Sequence, residues 1–339
     1  NGSGKTSILE AIHSLSFGSS FRTNNKKELI KEGSNNFLIK GFFKNKNGVE
    51  NTVFYSQDTS GNKKIKINKK EIRKRKDLLG LNNVVVFSPE EESITKSGPN
   101  NRRKFFNKVF SIVSENYLES LLIYNSTLQQ RNAILKSGSK KNINQQIKIW
   151  NEPFSKKAEK LWRQRKRLFF EFLGVFKETV KILDLGIVCD ISYGQKEIKR
   201  ENILMNLKKK KEIEMSLGFT TYGPHRDDFL FKWGSQAIRK RGSQGEHKMF
   251  LALLKTTELL YISRKTKRNP VFLIDDIFAN LDVDRSKRLL RFVEKLQLQE
   301  KTKPQTIITT TDILEVQKEG FFSNYSKIKK HKLQVNETP

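Results

Sequence analysis

The first six residues, Asn1-Gly2-Ser3-Gly4-Lys5-Thr6, constrain the fold more than any other feature of the chain. They fit the last six positions of the phosphate-binding pattern G-x-x-x-x-G-K-[ST], and Ile8, Leu9, Ile12 and Leu15 then recur at helical spacing. Gly2, Ser3 and Gly4 let the backbone wrap close enough to a nucleotide for its N–H groups to point at phosphates. Lys5 then supplies a point charge to the β/γ oxygens, and the Thr6 hydroxyl sits at the helix N-terminus as a Mg²⁺ ligand. The first glycine of the pattern falls two residues upstream of Asn1, where a strand is also expected. The chain therefore reads as an N-terminally truncated fragment.

The remaining pattern changes character along the chain. Short β-branched or aromatic runs at Phe37–Phe43, Asn51–Tyr55, Lys64–Ile67 and Val84–Phe87 are separated by Gly, Asn and Lys turns, which predicts an antiparallel β portion. From Pro99 to Leu185 the period becomes helical. Leu121, Leu128 and Leu135 are seven apart, and Phe154, Ala158, Leu161, Leu168, Phe172, Phe176 and Val180 trace one apolar stripe. Strands are expected again at Ile187–Tyr193, Phe229–Trp233, Val271–Asp275 and Thr306–Thr309. The helical pattern of Arg285–Leu296 between the last two suggests a βαβ unit and a parallel sheet. The expected organisation is α/β: residues 1–98 and 186–320 form an ATPase lobe, 99–185 an inserted all-helical lobe, and 321–339 a basic tail.

Charge points to a polyanionic partner. Lys plus Arg number 66 against 36 Asp plus Glu, a formal net charge of +30. Part of this is a lysine-rich composition spread over solvated faces, but the distribution is patchy. Between Lys63 and Lys76 there are nine Lys/Arg and a single acid, Glu71, a segment that reads either as a DNA contact or as a solvated hairpin. Further clusters lie at 102–104, 163–167, 208–211 and 264–268. Cations that neutralise phosphates give sequence-independent, salt-sensitive binding. A membrane surface is disfavoured, because no lipid anchor motif or basic amphipathic end helix is present. No apolar run approaches the roughly 18 residues of a membrane helix. The one cysteine, Cys189, cannot form an internal disulfide, and one Cys with four scattered His cannot build a structural zinc site. The chain reads as a soluble protein of a reducing compartment.

A second half of the nucleotide site lies at Pro270-Val-Phe-Leu-Ile-Asp275-Asp276. An apolar strand ending in two acids brings carboxylates to the C-terminal edge of a sheet. Asp275 would hold Mg²⁺, directly or through water, and Asp276 would orient or deprotonate the attacking water as the catalytic residue. Ser243-Gln244-Gly245-Glu246, before a long helix, resembles the signature of ABC ATPases, and Ala279-Asn280-Leu281-Asp282 resembles their D-loop. That resemblance implies ATP-driven homodimerisation, with the signature of one subunit capping the nucleotide held by the other.

The ordered blocks resemble the RecF family, bacterial recombination-repair ATPases related to the heads of SMC proteins. They are Asn1–Ile12, Ser20-Phe-Arg-Thr23, Val86-Phe-Ser-Pro-Glu90, Arg102-Arg-Lys-Phe105, Gln130-Arg-Asn132, Thr221-Tyr-Gly-Pro-His-Arg-Asp-Asp228, Ser243–Glu246 and Leu273–Asp276. The resemblance implies an ABC-type P-loop ATPase head with ATP and Mg²⁺ as cofactors. It implies a nucleotide-binding set of Asn1, Gly2, Ser3, Gly4, Lys5, Thr6, Ser7, Ser243, Gln244, Gly245, Glu246 and Asp282. It also implies binding of single-stranded, gapped or junction duplex DNA, a RecR-type mediator as partner, help in loading RecA, a part in replication and the SOS response, and a cytoplasmic location. Asp276 stands where most ABC ATPases have Glu, and one methylene less reach implies slow hydrolysis, while the family resemblance implies that DNA stimulates it. Thr309-Thr-Thr-Asp312 occupies the place of the ABC switch histidine. His225 reads either as a site group or as a histidine that orders its loop. Two other readings stay open: a non-catalytic, ATP-gated scaffold, and another ABC ATPase of a defence system.

Overall fold

A computed structural model describes residues 4–23, 25–44, 48–72, 74–137, 143–194, 198–275 and 304–310. The chain forms two compact units, one made of residues 1–92 with 244–339 and the other of residues 93–243.

The first unit opens with α1 (Lys5–Phe17), which ends where Gly18 turns to φ 61° and returns its N–H to Ser14 O at 2.7 Å. Four antiparallel strands follow: β1 (Asn36–Lys44), β2 (Glu50–Asp58), β3 (Lys63–Ile67) and β4 (Lys70–Ile72), paired in that order. Their inner face carries Phe37, Ile39, Phe43, Val53, Tyr55, Ile65, Ile67 and Ile72, closed by Leu15 of α1 and by Leu78. Each such side chain, when fully buried, contributes roughly 1.5–3 kcal/mol. Gly41 lies on this face because a Cβ there would stand 2.5 Å from Leu15 Cδ1. Asn68 and Lys69 take φ 49° and 71° at the β3–β4 turn, the doubly positive geometry of a tight two-residue hairpin.

Next comes β5 (Val84–Phe87), all four residues buried. The chain enters the second unit with α2 (Ser93–Lys96), α3 (Pro99–Val113), α4 (Glu115–Lys136) and α5 (Ile143–Leu183). Ser114 breaks α3 from α4 by accepting the Tyr117 N–H in its side chain, a helix N-cap. Then follow β6 (Cys189–Tyr193), α6 (Arg200–Lys209), α7 (Lys211–Leu217), β7 (Phe229–Trp233), β8 (Gln236–Ala237) and α8 (Ile238–Arg241). The strands β6, β7 and β8 form an antiparallel sheet. The helical stretch from Pro99 lies where its periodicity places it. The unit around it is larger than residues 99–185, because β6 to β8 and the segment 221–228 pack with the helices.

The apolar stripe of α5 is buried from Phe154 to Phe176 as its spacing predicts, and Val180 at its end is half-buried. That of α4 is different: its buried face is Tyr117, Ser120, Tyr124, Thr127, Arg131 and Leu135, so the inward seven-residue repeat is Tyr117, Tyr124, Arg131. Leu121 and Leu128 lie half-buried at its flank.

The chain returns to the first unit with α9 (Gln244–Thr266), buried from Gly245 to Ile262 except for the half-buried Glu246. It then forms β9 (Val271–Asp275) and β10 (Thr306–Thr309). β9 runs parallel to both neighbours in the order β10-β9-β5. A strand flanked on both edges and covered on both faces needs a continuous apolar run, which Val271–Ile274 supplies. The helical pattern of 285–296, the D-loop-like residues 279–282 including Asp282, and the tail 321–339 lie outside the described residues. So do Asn1, Gly2, Ser3 and Asp276.

Candidate functional site

Gly4 precedes α1 with φ 77° and ψ 8°, in the left-handed region. No atom lies within 4 Å of where its Cβ would be, so the demand for glycine here comes from the backbone and not from crowding. The Gly4 carbonyl accepts from Ile8 N at 3.1 Å and starts the helix, and no side chain caps it. An uncapped helix start behind a left-handed glycine presents backbone donors suited to an anion. Lys5 is half-buried in this first turn, and Ser7 is exposed on it.

The parallel register carries Asp275 to the C-terminal edge of β9, where its side chain is buried among partners. Thr6 Oγ1 donates to Asp275 Oδ1 at 3.0 Å, across 269 residues of sequence. Thr309, the last residue of β10 and directly opposite Asp275, donates to the same oxygen at 2.6 Å. The structure thus brings together Lys5, Thr6 and Asp275 of the expected site and adds Thr309. Two hard oxygen donors, the Thr6 hydroxyl and the Asp275 carboxylate, meet at the helix start, and this donor set fits Mg²⁺. Ser243 and Gln244 are exposed at the start of α9, while Gly245 is buried. The chain passes from one unit to the other between Ser243 and Gln244.

The blocks 20–23 and 86–90 meet α1. Ser20 Oγ donates to Glu10 and accepts the N–H groups of Arg22 (2.9 Å) and Thr23 (3.1 Å). Arg22 lies 3.8 Å from Glu10 and 3.9 Å from Glu90, which follows β5. These residues brace α1 against the end of the central sheet.

The 221–228 segment organises the second unit. Asp227 is buried and accepts from Trp162 Nε1 at 2.9 and 2.8 Å, from Tyr193 OH at 2.5 Å and from Arg165 at 2.5 Å. Arg165 also donates to the Pro224 carbonyl (2.7 Å), to Tyr117 OH (3.1 Å) and to Asn107 (3.1 Å). Burial opposes its charge, but the surrounding Tyr117, Asp227 and Tyr193 oxygens outweigh that and hold its pKa above the usual guanidinium value. Arg102 forms a two-pronged pair with Asp228 at 2.8 and 3.0 Å, and Arg103 caps the Asp227 carbonyl at 2.7 Å.

His225 belongs to this network. Its Nε2 donates to the Thr220 carbonyl at 2.9 Å, which leaves Nδ1 to accept from Tyr124 OH at 2.6 Å. Burial pushes the imidazole pKa down to about 4, against the opposing pull of the Thr220 carbonyl. Gly223 at φ 146° passes so close that a Cβ would stand 2.5 Å from Tyr124 OH. Of the two readings of His225, the one that orders its loop matches these contacts.

Among the described residues no cluster of three or more His, Cys, Asp or Glu side chains is placed to hold a metal, and no helix is long and apolar enough to cross a membrane. Burial pushes the Cys189 thiol up to about 12.

A phosphate-binding turn ahead of a buried strand that ends in a carboxylate, with a second unit inserted between β5 and α9, defines a P-loop ATPase head of the ABC and SMC type. Residues 1–335 match the RecF/RecN/SMC N-terminal domain. The DNA replication and repair protein RecF of Azobacteroides pseudotrichonymphae is 32% identical over 313 residues, 92% of this chain and 84% of that protein. The recombination mediator RecF solved with ATP superposes with a TM-score of 0.81 at 29% identity, over 93% of this chain and 85% of that one. An SMC head of Pyrococcus furiosus, at 16% identity and a TM-score of 0.51 over 94% of this chain and 83% of that one, shares the fold. This chain belongs to the RecF family.

Proposed function

We propose that this protein is a RecF-type ATPase of DNA replication and recombinational repair that binds ATP and Mg²⁺ and uses them to hold DNA. The observation that carries this reading is the meeting of Thr6 and Asp275 behind the Gly4 turn, on a chain of net charge +30. Backbone donors from Gly2 to Thr6 would cradle the phosphates, with Asn1 and Ser7 flanking them, and Lys5 would neutralise the β/γ oxygens. Thr6 and Asp275 would hold Mg²⁺, which when bound neutralises phosphate charge. Asp276 would orient the attacking water. Ser243, Gln244, Gly245 and Glu246, with Asp282, would complete the site of a second copy, so that ATP favours a closed homodimer. Similarity to RecF proteins supports DNA as ligand, a RecR-type mediator as partner and a cytoplasmic setting.

The test is binding of gapped and blunt duplex across a salt series, with and without ATP, for the wild type, Lys5→Ala and Asp276→Asn. Salt-steep binding that needs ATP, fails in Lys5→Ala and persists in Asp276→Asn is expected. Equal binding in all three proteins with or without ATP would overturn the ATP-closed clamp.

A further inference from the structure

The outer face of the four-stranded sheet combines exposed apolar rings with cations. Strand register fixes its rows: Leu38 beside Ser56 and Lys64; Lys40 beside Phe54, Lys66 and Glu71; and Phe42 beside Thr52. Phe42 is 68% exposed and Leu38 62% exposed, an unusual display for the middle of a strand. Lys40 Nζ stands 5.1 Å from the centre of the Phe42 ring, and Lys66 Nζ 6.0 Å from that of Phe54. Of the acids of this face, Glu50 is matched by Lys44 and Glu71 by Lys64, each at 3.7 Å, while Asp58, at the far end of β2, accepts from Asn62. Lys69, at the β3–β4 turn, adds a further exposed cation at the end of this face. Packing leaves this face out, since α1 and the whole apolar cluster lie on the other side of the sheet.

We infer that this face is a binding platform for single-stranded DNA, with Phe42 and Phe54 as stacking surfaces for unpaired bases and Lys40, Lys64 and Lys66 as phosphate contacts. The inference rests on the DNA-binding reading above and gives it a surface and a strand state. Diagonal neighbours on paired strands stand about 7–8 Å apart, so the two rings can each receive a base of one strand. Rings bracketed by ammonium groups suit a polyanion that carries flat faces, because stacking takes any base while the lysines follow the backbone. A duplex offers the same phosphates but hides its bases, so it gains only the electrostatic part.

The test uses the full chain and a labelled oligo-dT of about 16 nucleotides, a site size in the range of single-strand binders. An abasic strand of equal length, a blunt duplex and anionic lipid vesicles serve as competitors. Phe42→Ala and Phe54→Ala are each expected to weaken oligo-dT binding about tenfold and to leave duplex binding unchanged, and Phe42→Trp to restore it. The salt slope stays the same in the ring variants and falls by about 0.7 for each lysine removed at Lys40 or Lys66. Phe42 is surface-exposed, so its removal opens no cavity, and a circular dichroism spectrum checks the fold of each variant. Equal affinity for dT and the abasic strand, unchanged affinity in both alanine variants, or displacement by vesicles but not by dT would overturn the inference. Wild-type duplex binding that ignores ATP, beside ring-dependent dT binding, would remove the clamp reading and leave this one standing. Loss of both, with intact fold, would remove both.

Discussion

Thr309 donates its hydroxyl to Asp275 Oδ1 at 2.6 Å, from the residue directly opposite on the neighbouring parallel strand. Thr6 reaches the same oxygen at 3.0 Å, so the carboxylate is held from the sheet and from the first turn of α1 together. Partners behind a ligating carboxylate fix its orientation, and their loss typically costs 10–100-fold in metal affinity. Thr309→Val keeps the shape and removes the hydroxyl. It is expected to raise the midpoint of Mn²⁺ binding, read by electron paramagnetic resonance with ATP present, by about tenfold. Thr309→Ser should stay near the wild type. An unchanged midpoint in Thr309→Val would show that Asp275 needs no support from β10.

The Asp227 network predicts a stability effect confined to the second unit. Asp227→Ala leaves Arg165 charged, buried and without its carboxylate, which costs about 3–5 kcal/mol. All three tryptophans, Trp150, Trp162 and Trp233, lie in residues 93–243, so tryptophan emission in a urea titration reports that unit alone. A shift in the urea midpoint worth less than about 1 kcal/mol would mean that solvent reaches Arg165 once the carboxylate is gone.

His225 makes the same unit sensitive to acid. Its pKa is about 6.5 in an unfolded chain and falls to about 4 in the folded one, chiefly through burial. The unfolded state therefore binds the extra proton between those values, and stability rises with pH across this window. The contribution is complete above pH 6.5 and is lost as pH falls towards 4, about 3 kcal/mol in all. Urea midpoints at pH 7.5, 5.5 and 4.5 should fall in that order, and His225→Gln should flatten the slope. An equal slope in both proteins would assign the acid sensitivity to other groups.

What sequence revealed and what it concealed follow from the range of each interaction. The Gly4 turn and α1 are local, and β9 declares itself because a strand buried on both faces must be apolar from end to end. Thr309 is marked only by the family pattern, which puts it at the place of the switch histidine; its contact with Asp275 has no local signal, because a threonine ending a strand satisfies β propensity whether or not its hydroxyl meets an acid. Asp227 lies 65 residues from Trp162, and nothing in the spacing of either announces their contact. Reading α4 by its leucines missed the inward seam of Tyr117, Tyr124 and Arg131, because hydrophobic periodicity gives no weight to polar side chains that are buried with their partners. Arg131, fully buried, pairs with Glu214 at 2.6 Å and donates to Thr220 at 2.6 Å. The boundary of the second unit is hidden for a related reason, since residues 221–228 are bound to the helices by charge pairs, which hydrophobic periodicity does not register.

The last prediction concerns α9, the helix that starts at the signature-like residues. Lys255 is buried at its middle, pairs with Glu258 at 2.9 Å and also meets Glu91, which follows β5. Burial works against its charge, but the two carboxylates more than offset this and raise its pKa above the ordinary lysine value. Removing only the lysine leaves Glu258 fully buried without its cation, so Lys255→Met is expected to destabilise the first unit by about 3–5 kcal/mol. Removing both charges is a different matter, because a hydrophobic pair of similar volume escapes the cost of desolvating two ions. Lys255→Met with Glu258→Leu should therefore recover most of the loss, and the cycle of single and double variants isolates the coupling. This unit has no tryptophan, so its unfolding is followed by circular dichroism or by hydrogen exchange of α9 amides. If the double variant is as unstable as Lys255→Met, the remaining Glu91 is the charge that needs Lys255, and the lysine then serves chiefly to fasten α9 to the end of β5.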